Sequence, residues 1–77
     1  MDVHCDDGVS DEERIQIDTW VCTHDADGID TVVVGARVVA VHSLAKNGGI
    51  TGTARRRGDV VAELDEALAM MRRFRDV

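Results

Sequence analysis

The stretch Ile29–Ala45, IDTVVVGARVVAVHSLA, decides how the rest of this chain can fold. Val32, Val33, Val34, Val38, Val39 and Val41 are stiff at χ1 and suit a pleated sheet. A rival reading makes Ala36 to Lys46 a helix, ended by Asn47-Gly48-Gly49 as a glycine cap. The valine density favours the strand. So does Asn47-Gly48, a dipeptide suited to the two positive-φ positions of a type I′ hairpin turn. Gly35 then marks a bulge or bend. Such a strand is apolar on both faces, Val32, Val34, Val38 and Ala40 against Val33, Val39 and Val41, so at least one face needs a cover.

The cover lies downstream. Val60, Val61, Leu64, Ala67, Leu68, Met71 and Phe74 recur at the spacing of one helical face, which predicts a helix over Asp59–Asp76 with Asp59 as N-cap and Arg72, Arg73 and Arg75 at the C-terminal end. Ile50–Arg56 supplies a further strand, broken by Gly58. Upstream, Arg14–His24 alternates: Ile15, Ile17, Thr19, Val21 and Thr23 against Gln16, Asp18, Trp20, Cys22 and His24. This reads as the first strand, with Asp25-Ala26-Asp27-Gly28 as the turn that follows it. Residues 1–13 show no period and read as a flexible, disordered acidic arm. The expected fold is therefore α+β: a three-stranded antiparallel β-meander packed on one C-terminal helix (β-β-β-α), formed by residues 14–77 as a single small domain. The same layout recurs in three-stranded DNA-reading modules and in small antitoxins.

At 77 residues the core is thin, and a single helix leaves one sheet face bare, which points to a protein partner or a homodimer. Residues 1–30 carry ten acids against Arg14 alone, whereas residues 31–77 carry five acids against eight bases. The acidic half can stay solvated, or dock on a basic surface of this chain or of a partner. No run of about 18 apolar residues occurs, so a cytoplasmic protein is expected.

Chemistry-bearing motifs are few. His4, Cys5, Cys22 and His24 have the atoms of a zinc site without its spacing, since no C-x₂-C knuckle is present. The two cysteines are expected as ordinary thiols, and neither metal nor cofactor is implied. Cys22, His24, His42 and Asp18 do not make a nucleophilic site without an oxyanion hole or pocket, so no enzyme activity is expected. Gly48–Gly58 is glycine-rich and ends in Arg55-Arg56-Arg57 before a helix N-terminus, an arrangement that can hold phosphate although it lacks the P-loop ending. Trp20 is either an interface anchor or, with a one-residue register shift, a core residue.

The functional expectation is a non-enzymatic, acidic interaction protein that binds and inhibits a partner, in the manner of phage-encoded anti-defence proteins directed at nucleic-acid machinery. Trp20, Asp18, Asp25, Asp27 and Asp30 are the expected contacts. The alternative is a small nucleic-acid-binding regulator or antitoxin-like protein acting through Arg55, Arg56, Arg57, Arg72, Arg73 and Arg75.

Overall fold

The computed structural model describes residues 1–45 and 48–76. The chain begins with strand β1 (Asp2–Cys5), then helix α1 (Asp11–Thr23), a 3₁₀ turn at Asp25–Asp27, strands β2 (Thr31–Val34), β3 (Val38–Ala45) and β4 (Gly48–Arg55), and helix α2 (Val60–Arg75). The sheet order is β1-β2-β3-β4. β1 runs parallel to β2, and the other pairs are antiparallel. The architecture is α+β, with a mixed four-stranded sheet and two helices.

Two expectations are corrected at the N-terminus. Residues 2–5 are not a free arm: they form β1, with Asp2↔Thr31 and Cys5↔Val34 as its end pairs. Arg14–His24 is not a strand but most of α1. Its start is a capping box, in which the Ser10 side chain accepts from the Glu13 N–H and the Glu13 carboxylate accepts from the Ser10 N–H. Such caps are worth about 1 kcal/mol. Asp11, Glu12 and Glu13 sit where the helix dipole favours negative charge. Ile17 and Trp20 face inward with Val21 beside them, which is helical spacing, whereas Ile15 is 68% exposed. The alternation of β-branched residues was a coincidence that tertiary burial overrode. A parallel β1–β2 pair needs a crossover, and α1 is that crossover.

Ile29–Ala45 is indeed sheet, but as two strands. Gly35 marks the bend rather than a bulge: it opens the hairpin turn between β2 and β3, and its N–H donates to the Val38 carbonyl. The turn shifts the phase of alternation. Val32 and Val34 therefore share a face with Val39 and Val41, all fully buried, while Val33 and Val38 are 40% and 45% exposed on the other. β3 and β4 pair from Val38↔Arg55 to Ala45↔Gly48. Of the expected turn Asn47-Gly48, Asn47 lies outside the described residues and Gly48 opens β4.

α2 follows its predicted span. Asp59 caps it by accepting from the Ala62 N–H. Val60, Leu64, Ala67, Leu68 and Met71 are buried, but Val61 and Phe74, expected on the same face, are exposed. Gly52 on β4 marks how closely α2 lies on the sheet: a Cβ there would stand 1.9 Å from the Ala67 carbonyl oxygen and 2.5 Å from the Met71 nitrogen. One cluster joins Ile17 and Trp20 of α1, the inward valines, Ala54 and the α2 stripe, so both helices cover the same sheet face. The opposite face carries His4, Val33, Val38, Ala40, His42, Thr51, Thr53 and Arg55.

Candidate functional site

Arg55-Arg56-Arg57 leave the sheet in three directions. Arg55 lies exposed on the open face. Arg56 turns inward: Nη1 donates to Glu63 Oε1 at 2.9 Å and Nη2 to the Glu13 carboxylate. Its side chain is only 14% exposed and that of Glu63 is 1% exposed. Glu63 is completed by two backbone donors, Arg57 N–H at 2.8 Å and Asp59 N–H at 2.9 Å. Arg57 pairs with Glu66 at the surface.

This arrangement answers the phosphate-loop expectation. The N-terminal region of α2 is occupied by the chain's own Asp59 and Glu63 carboxylates. Gly48–Arg55 is a strand, and Gly52 serves helix packing. The Arg56 hydrogen bond, followed by the Ser10 backbone donor, holds the Glu13 carboxyl below its ordinary value of 4.5.

At the other end of α2, Arg72 pairs with Asp27, and Arg75 Nη1 donates to the Asp27 carbonyl at 2.7 Å. Arg75 also approaches Asp76. Of the six candidate arginines, Arg55 and Arg73 alone have no ion pair among the described residues. Acids from the N-terminal half thus dock on arginines of the C-terminal half. Asp27 is spent in this way. Asp30 accepts from the Leu44 N–H and pins the β2 approach to β3. Asp18 and Asp25 remain exposed.

Trp20 is not a bare interface anchor. It is 4% exposed, its Nε1 donates to Asp65 Oδ1 at 2.8 Å, and its ring stacks on His24 with centroids 4.1 Å apart. His24 Nδ1 is in turn 2.8 Å from the Trp20 carbonyl oxygen. Above this pair, α1 and α2 leave a groove of ≈360 Å³, walled by Ile15, Thr19, Val61 and Asp65. The sequence reading, which found no volume for a pocket, missed it. Its one signal was Ile15, an apolar residue that a helical reading of 11–23 sets off the buried stripe of Ile17 and Trp20.

The cysteines are both free, Cys5 half-buried and Cys22 exposed. Cys22 and His24, expected on one strand face, are two residues apart at a helix end and so point in different directions. His42 lies on the open sheet face, where its ring covers Gly49 and its Nδ1 is 2.7 Å from Thr51 Oγ1. Among the described residues, no group of three metal-ligating side chains comes together. No helix there is long and apolar enough to cross a membrane. No protein-family model, curated protein or solved structure matches this chain.

Proposed function

We propose that this chain is a non-enzymatic interaction protein that binds and inhibits a basic protein partner through the open face of its sheet. The observation that carries the reading is the bareness of that face. Val33 and Val38 are exposed there beside the half-buried Ala40, and Leu44, 71% exposed, lies at one end. An apolar centre with a rim of Thr31, His42, Thr51 and Thr53 has the make-up of a protein interface. The chain's net charge of −6 favours a basic partner through long-range attraction, the α1 acids that have no ion pair among the described residues lying on the other side of the sheet from the contact itself. A nucleic-acid-directed protein fits that chemistry, which keeps the anti-defence role within the proposal. With no partner present, a second copy covers the same face and the chain is a homodimer.

The nucleic-acid-binding alternative rests on six arginines, four of which are engaged by the chain's own acids. That engagement favours the protein partner. The test is affinity capture from native host cells with the wild-type chain and with Val33→Glu/Val38→Glu. The expected result is a basic partner retained by the first and lost by the second at unchanged thermal stability. Equal recovery by both chains would sink the reading. Salt-dependent DNA or RNA binding that Arg55→Ala weakens would put the alternative in its place.

A further inference from the structure

The groove between α1 and α2 lies on the other side of the molecule from the open sheet face and is built differently. We propose that it binds a small organic cation, a protonated amine carried on an apolar body. Its floor is held in place before any ligand arrives: the Trp20 indole is fixed by Asp65 and by the stack on His24, and His24 is fixed by the Trp20 carbonyl. The walls are Ile15 and Val61, 68% and 36% exposed. The Thr19 and Thr23 hydroxyls donate to the Ile15 and Thr19 carbonyls, so their protons are spent on α1 itself. An apolar body therefore meets little polar competition.

The charge of the ligand follows from Asp65. One of its oxygens accepts the indole N–H, and no ion pair engages the carboxylate among the described residues. Among the described residues no lysine or arginine lines the groove. An unpaired carboxylate at an apolar groove, in a chain of net charge −6, attracts an ammonium group through the ion pair. The groove volume of ≈360 Å³ lies near the lower end of small-ligand sites, roughly 300 to 1,000 Å³, which sets the ligand as a small molecule.

Trp20 is the chain's one tryptophan and there is no tyrosine, so intrinsic fluorescence reports on the groove floor. The full chain is titrated with phenylbutylammonium, and in parallel with phenylbutanol and phenylbutyrate. The ammonium should give a saturable change, the alcohol a weaker one and the carboxylate none. Asp65→Asn keeps an oxygen for the indole N–H and removes the charge. It should weaken ammonium binding about fivefold, the upper end for a solvent-accessible ion pair, and leave the alcohol unaffected. Val61→Lys, at an exposed position, should abolish the ammonium response. Equal binding of the three probes, or an unchanged affinity in Asp65→Asn, would overturn the proposal. So would silence toward the ammonium together with a response to a cationic amphipathic peptide, which would make the groove a seat for a partner's helix.

Discussion

The two faces of the sheet are made from the same residues and have opposite fates. On β2 and β3, Val32, Val34, Val39 and Val41 lie under the helices at 0% exposure, while Val33 and Val38, their immediate neighbours in sequence, face outward. Composition does not distinguish them; the phase of the strand and the hairpin turn at Gly35–Arg37 do. Arg55-Arg56-Arg57 repeats the lesson in charge, with one arginine bare, one half-buried in a two-carboxylate clamp and one paired at the surface. Glycine repeats it in steric terms. Gly52 lies beneath the α2 backbone, and Gly49 lies beneath only the His42 ring. Stability resides on the covered face, and the open face is left bare.

The contrast breaks most sharply at the two glycines. Gly52→Ala drives a methyl into backbone that cannot step aside and should cost about 3 kcal/mol or more, whereas Gly49→Ala asks only that His42 turn and should cost about 1 kcal/mol. Urea midpoints of the two variants measure the difference, and equal midpoints would contradict the placement of α2. Next comes the clamp. Arg56→Met leaves Glu63 buried with no cation and should lose about 3 kcal/mol, while Arg55→Met should change stability by less than about 0.5 kcal/mol. Thermal unfolding of the pair decides it.

Valine comes third. Val39→Ala empties a buried site and should cost about 2 kcal/mol; Val38→Ala, one residue away and exposed, should stay within about 0.5 kcal/mol. The smallest effect is set by pH. Glu13 is held below its ordinary carboxyl value by Arg56, so its ionised form stabilises the fold. That contribution is complete above the unfolded-state pKa and disappears as pH falls through the lowered folded value. Chemical denaturation from pH 7 to pH 2 should show an acid limb that Glu13→Gln flattens.

The open face offers a separate check. Sedimentation equilibrium at tens of micromolar should give two chains for the wild type and one for Val33→Glu/Val38→Glu. A wild-type mass of one chain would remove the homodimer and leave the partner proposal to stand alone.

Much of the fold was legible in the residues, and where the reading failed the reason is physical. α2 was readable because its stripe repeats over four turns and its cap, Asp59, stands at the right distance. The α1 region carried two competing, overlapping signals. Ile15, Ile17, Thr19, Val21 and Thr23 alternate as a strand does, and Ser10-x-x-Glu13 with Ile17, Trp20 and Val21 marks a capped helix. The second signal won because a parallel β1–β2 pair requires a crossover, and no local rule announces that pair. β1 itself is four residues long, and its half-buried residues, Val3 and Cys5, are too few for a pattern to show.

The sequence by itself determined that this chain is a small α+β unit, that valine-rich strands meet a C-terminal helix capped at Asp59, and that an acidic half opposes a basic one. Periodicity and charge are local quantities, so they survive without coordinates. Only the tertiary structure decided which valines are sealed, that Arg56 is shared by Glu13 and Glu63, and that Trp20 bonds Asp65 on the other helix to floor a groove. Those facts join residues up to 45 positions apart in the chain, and long-range contacts leave no period for a sequence to display.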